Sequence, residues 1–191
     1  MKKIFLSILI AGCVASARAT LFQYTVSFSS AGESLPSSGT GSGTVDYNDI
    51  AHTLTLNCLF SGLTGTTTAS HIHAPTAVAF TGNAGVATTL PSFTGFPLGV
   101  SSGSFSSVLD LTQASSWNPA YVTASGGTTA GAEAAFASAI ASGKAYWNIH
   151  SSFNSGGEIR GFLVPVPEPA SLTVLGLGFA AMVARARRKQ A

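Results

Sequence analysis

From Phe22 the chain alternates strictly. Phe22, Tyr24, Val26 and Phe28 are separated by Gln23, Thr25 and Ser27. Alternate side chains of an extended backbone point to opposite faces, so this stretch predicts a half-buried strand. Thr44–Tyr47 leads into the turn signal Asn48-Asp49. Beyond it Leu54, Leu56, Cys58 and Phe60 alternate with Thr53, Thr55 and Asn57 up to Gly62, which predicts a hairpin. Further strands are expected around Ser70–Ala74, Val86–Leu90, Ser104–Leu111, Lys144–His150 and Glu158–Val164. Ser37–Gly43 and Ser125–Thr128 read as loops or weak edges. One segment departs from period two. Thr129–Ser142 is rich in alanine, sets Phe136 and Ile140 four apart, and meets Gly143 at the expected stop, so a single helix is expected there. Short strands between Gly/Ser/Thr-rich turns, with one short helix near 129–142, predict a mainly β fold. It is expected to be an antiparallel β-sandwich or partly closed barrel.

The two ends follow other rules. Lys2-Lys3 precedes the apolar run Ile4–Ala11, and Ala17-Arg18-Ala19 supplies small residues for cleavage, so residues 1–19 are expected to be a signal peptide. Ile10-Ala11-Gly12-Cys13 offers a second reading, a lipoprotein box with Cys13 as the lipidated first residue. Residues 165–191 combine Pro167-Glu168-Pro169, an apolar run over 170–184, and a basic end with Arg185, Arg187, Arg188 and Lys189. Fifteen residues at ~1.5 Å rise span about 22 Å, short of the ~30 Å hydrocarbon core. A basic cluster directly after the run fits a weak membrane contact with the arginines in the cytoplasm. The three parts in this order closely resemble the PEP-CTERM sorting signal of Gram-negative bacteria. That resemblance implies processing by an exosortase, after signal peptidase has acted, and delivery to the cell surface or extracellular matrix. Inner-membrane anchoring through 170–184 is expected to be transient.

Composition narrows what the body, residues 20–164, can do. Of 191 residues only 8% are charged, while 26 Ser and 20 Thr make up nearly a quarter of the chain. Between the two ends Lys144 and Arg160 stand against Glu33, Asp46, Asp49, Asp110, Glu133 and Glu158. Two cations cannot neutralise a row of phosphates, so nucleic-acid binding is excluded. Cys58 is the one cysteine left after signal removal and belongs to the inward set of its strand, where it is expected to pack as a small hydrophobe.

The informative polar residues form three triplets around an isoleucine: His71-Ile72-His73, Asn148-Ile149-His150 and Glu158-Ile159-Arg160. With each isoleucine in the core, the flanking side chains leave the opposite face together. Burying Glu158 and Arg160 unpaired would cost several kcal/mol, so that face is expected to be exterior, with the two as an exposed ion pair. Two readings remain for the histidines. They are members of a surface hydrogen-bonding cluster, or His71, His73 and His150 form a three-nitrogen set for zinc or copper with an open fourth position.

The same residues resemble the CHRD domain, the module named after chordin. The resemblance rests on His71-Ile72-His73-Ala74-Pro75, on Ser142–His150 with Tyr146-Trp147-Asn148-Ile149-His150, and on Gly156-Gly157-Glu158-Ile159-Arg160-Gly161. The early hairpin ending Phe60-Ser61-Gly62-Leu63 joins them, and coverage runs from about Gln23 to Val164. It implies an extracellular β-rich module, with Asn148, Glu158 and Arg160 in the family's polar cluster. His-x-His on a strand also resembles copper/zinc superoxide dismutase, but four histidines and a lone cysteine fall short of that enzyme's ligands and disulfide.

No enzyme is expected. Gly99-Val100-Ser101-Ser102-Gly103 matches the nucleophile-elbow pattern but lacks the α/β alternation the elbow needs. The expected function is a structural or adhesive component of the envelope or matrix, with polysaccharide or another matrix component as partner. A metal-binding module is the alternative.

Overall fold

The computed structural model describes residues 21–167. Two antiparallel sheets pack face to face. The larger contains β1 (Leu21–Phe28), β2 (Thr40–Asn48), β3 (Thr53–Ser61), β5 (Gly103–Asp110) and β8 (Val164–Pro165), in the order β5-β3-β2-β1-β8. The smaller contains β4 (Thr67–His73), β6 (Tyr146–Ser151) and β7 (Ile159–Phe162), in the order β4-β6-β7. The expected sandwich is therefore observed, and it does not close into a barrel.

Strand alternation builds the core. Tyr24, Val26 and Phe28 of β1, Leu54, Leu56, Cys58 and Phe60 of β3, and Phe105 of β5 face Ile72, Trp147, Ile149 and Ile159 across the sandwich. Trp147 is fully buried, with Phe28, Phe93 and Phe105 edge-on at 5.5–6.4 Å, and its indole N–H donates to Ser70 Oγ at 2.8 Å. Cys58 is buried and unpaired as expected, and burial pushes its thiol up to about 12.

Three expectations need correction. The stretch 40–43 is strand, because β2 pairs with β1 and β3 from Thr40 onward. Gly41 and Gly43 lie where the Phe28 ring crosses β2, and an added Cβ would press on that ring and on the β3 backbone. Glycine there makes room for an aromatic and does not mark a loop. Val86–Leu90 is not a strand. It runs as irregular cover along the free edge of β4, with isolated bridges His73↔Val86 and Thr88↔Trp117. The expected helix is α2 (Thr129–Ala141), capped by the Thr128 hydroxyl and ended at Gly143, where φ is +68°. It is preceded by a 3₁₀ turn (Ala114–Ser116) and a six-residue helix, α1 (Pro119–Ala124), which hydrophobic spacing does not reveal. The local signal for α1 is Asn118-Pro119, a side-chain cap followed by proline in the first turn. Glu133 of α2 locks onto the β2–β3 hairpin, receiving Tyr47 Oη at 3.0 Å and meeting His52 Nδ1 at 2.9 Å.

A buried three-histidine candidate metal centre

The antiparallel register of β4 and β6 sets His71 opposite Asn148, His73 opposite Tyr146 and Ala69 opposite His150. All the flanking side chains of the triplets leave the face opposite Ile72, Ile149 and Ile159, as alternation requires. That face is not exterior. The segments 29–39, 81–86 and 152–157 close over it, and His71, His73, Asn148, His150, Glu158 and Arg160 are each at most 8% exposed.

The expected Glu158–Arg160 ion pair does not form, because each group has separate partners. Arg160 Nε lies 3.4 Å from Glu33 Oε1, and its terminal nitrogens donate to Asn83 Oδ1 at 2.6 Å, to the Gly82 carbonyl and to the Gly32 carbonyl. Its guanidinium also lies 4.8 Å above the Tyr146 ring. The cation thus rivets two covering segments to β7. Glu158 accepts from the Ser37 hydroxyl and the Thr64 N–H, both at 2.5 Å, from the Gly65 N–H at 3.2 Å, and from the Ser151 hydroxyl. Burial raises its carboxyl, but these donors outweigh burial and hold it below the ordinary value. Burying both charges is tolerable because each is satisfied separately.

Two of the three histidines, His73 and His150, are satisfied on one side only. Ring centroids lie 4.8 Å apart for His71–His73, 4.5 Å for His71–His150 and 5.9 Å for His73–His150. His73 Nδ1 is 2.8 Å from the Ala84 carbonyl, and His150 Nδ1 is 2.8 Å from the Ser155 carbonyl. A carbonyl only accepts, so both Nδ1 atoms carry the proton and both Nε2 atoms present a lone pair. Those Nε2 atoms are buried and have no partner among the described residues. Among the described residues His71 completes no hydrogen bond at either nitrogen, although the Pro91 carbonyl pulls on the ring. Tyr146 stacks on His73 at 4.8 Å and fixes that ring's plane.

Burial is the largest influence on all three rings. It pushes His71 down to about 3, helped by His150 and His73, and His73 down to about 4 against the pull of the Ala84 carbonyl. His150 is lowered as well, against the Ser155 carbonyl. All three are neutral at pH 7, the form that binds a metal. One ligand atom from each lies within 4.8 Å of the others. Nitrogens around a tetrahedral zinc sit about 3.4 Å apart, so closing on an ion takes a shift of under about 1 Å per ring. The Nδ1 bonds to carbonyls are the outer-shell contacts that fix tautomer and ring orientation in metal sites.

Of the remaining sequence candidates, Asn148 donates to the Gly156 carbonyl at 3.4 Å and packs against Gly157, which at φ +128° leaves no room for a Cβ. Pro167 is the last described residue. The signal peptide, Cys13, Glu168, Pro169, the apolar run and Arg185, Arg187 and Arg188 lie outside the described residues. Sequence reasoning missed Glu33, Tyr146 and the carbonyls of Ala84 and Ser155. Only Glu33 left a trace, as one of six acids that Arg160 could pair with. The fourth histidine, His52, lies on the β2–β3 turn against Glu133 and takes no part in the cluster.

The model of the CHRD domain matches residues 24–163, and that of the PEP-CTERM protein-sorting motif matches 165–189. No curated protein and no solved structure matches the chain. The triplets that build the buried cluster thus fall inside the first match, and the tail from residue 165 coincides with the second. The chain belongs to the CHRD domain family and is an exported protein that its PEP-CTERM motif sends through exosortase to the cell surface.

Proposed function

We propose that the protein is a non-enzymatic, structural or adhesive module of the envelope or matrix, held in shape by a zinc or copper ion at His71, His73 and His150. The observation that carries the reading is the pair of buried, unpartnered Nε2 atoms of His73 and His150, converging with the His71 ring while each Nδ1 is fixed by a carbonyl. A buried polar atom without a partner costs about 1–3 kcal/mol, and a metal ion offsets that cost at all three rings together. An ion there would tie β4 to β6 and, through Ala84 and Ser155, to two covering segments. With none of the three rings more than 8% exposed, substrate access is poor, which favours a structural ion over a catalytic one. The tail supplies transient inner-membrane contact through 170–184 before exosortase acts, signal peptidase removes residues 1–19, and polysaccharide or another matrix component is the partner on arrival.

Metal analysis of the untagged chain, with His71→Ala and His150→Ala as controls, tests the reading. About one zinc or copper per chain is expected, lost in both variants and accompanied by a lower Tm on chelation. Trace metal that neither substitution changes would end it.

A further inference from the structure

Three of the four sheet edges are guarded. The free edge of β4 is covered by residues 85–100, through Ala87 N–H to Ile72 O, Phe93 N–H to Ser70 O and Thr67 N–H to Val100 O. The free edge of β7 is closed by Ser29, which exchanges two hydrogen bonds with Arg160. At the far side of the large sheet β8 is two residues long and is blunted by Pro165 and Pro167. Among the described residues, the fourth edge, β5, has none of these devices. It pairs with β3 over eight consecutive residues without a bulge, and it contains no proline and no charge before Asp110. An open, regular edge of this kind is a template for another strand.

The pairing parity identifies the outward groups. Leu111 N–H donates to His52 O, which continues the β3–β5 ladder, so odd-numbered residues of β5 bond inward and Ser104, Ser106 and Val108 present their N–H and C=O groups outward. Asp110 fits the same parity, since its carbonyl accepts from Gln113 N–H and the Ser116 hydroxyl outside the ladder. Ser104, Ser106 and Val108 are exposed.

We infer that β5 pairs with β5 of a second copy of this chain, antiparallel about a two-fold axis through Ser106, joining two five-stranded sheets into one of ten. This goes beyond the metal reading and does not depend on it. The occupant is a second copy because the edge is complementary to itself. Centred on Ser106, the axis sets Ser106 opposite Ser106 and each Ser104 opposite a Val108, so every outward group finds a partner. Asp110 then faces Ser102 of the second copy, and no like charges oppose. On the outer face the row Thr25–Thr44–Asn57–Ser106 runs unbroken into its symmetric copy. Repetition of polar rows across two modules suits a surface or matrix component.

Sedimentation of the full chain in mild detergent with chelator present tests this, alongside Val108→Pro, which removes one outward N–H and leaves the β3 ladder intact. A dimer is expected, weakened at least tenfold by Val108→Pro while near-UV circular dichroism is unchanged. Hydrogen-bonded antiparallel pairs hold Cα atoms about 5.5 Å apart, within disulfide range. Ser106→Cys should therefore give a covalent dimer on mild oxidation, whereas Ser42→Cys, exposed in mid-sheet, should not. A monomer at about 100 μM, a dimer indifferent to Val108→Pro, or equal cross-linking by both cysteines would overturn the inference.

Discussion

Lowering the pH from 7 to 5 should destabilise the metal-free domain by several kcal/mol through the buried histidines alone. An unfolded histidine titrates near 6.5, whereas burial holds His71 down to about 3 and His73 down to about 4. The native state therefore binds fewer protons than the unfolded state, and stability falls as pH drops through 6.5 toward 4. At pH 5 each such ring costs roughly 2 kcal/mol, so the two together cost about 4 kcal/mol, and His150 acts in the same direction. The buried acids act in opposite directions. Glu158, held below its usual value, loses its stabilisation only at lower pH, whereas Glu33, raised mainly by burial, stabilises the native state as it takes up its proton and so offsets part of the histidine effect, which Glu33→Gln removes. Urea denaturation with chelator present at pH 7, 6 and 5 reads the effect directly, against a total of about 5–15 kcal/mol for an ordinary domain. His71→Gln should flatten the profile by about 2 kcal/mol at pH 5. A free energy constant to within about 0.5 kcal/mol from pH 7 to pH 5 would show that the rings are hydrated and that the cluster is not the buried, neutral set described above.

Other substitutions probe the polar layer over the small sheet. Arg160→Met strands Glu33 in a buried site and should cost about 3–5 kcal/mol in denaturant melts, with Glu33→Gln in the same chain recovering part of the loss. Glu158→Gln removes the charged acceptor shared by Ser37, Thr64, Gly65 and Ser151 and should cost about 2–3 kcal/mol by the same assay. Gly157→Ala combines a positive φ with a clash against Asn148, so a Tm at or above the parent's would contradict the packing described for that turn.

The period-two pattern was enough to place β1, β3 and β5 and to sort Ile72, Trp147, Ile149 and Ile159 from their polar neighbours, because inside/outside alternation is a local property. It also separated the three histidines from the core. Alternation says which side of a sheet a residue leaves, but not whether that side meets water. The Glu158–Arg160 expectation failed for this reason: the loops that bury them come from residues 29–39 and 81–86, far away in sequence. The same limit hid the Glu33–Arg160 pairing and the Ala84 and Ser155 carbonyls behind the imidazoles. Gly41 and Gly43 misled in another way, since a glycine that admits the Phe28 ring looks, in sequence, like one that makes a turn.

X-ray absorption at the metal edge of zinc- or copper-loaded protein tests the central claim most directly, since it counts the ligands around the ion. The account predicts three imidazole nitrogens at about 2.0–2.1 Å, and no protein-bound ion in His150→Ala. An ion surrounded by oxygen alone, or a spectrum that His150→Ala leaves unaltered, would contradict it.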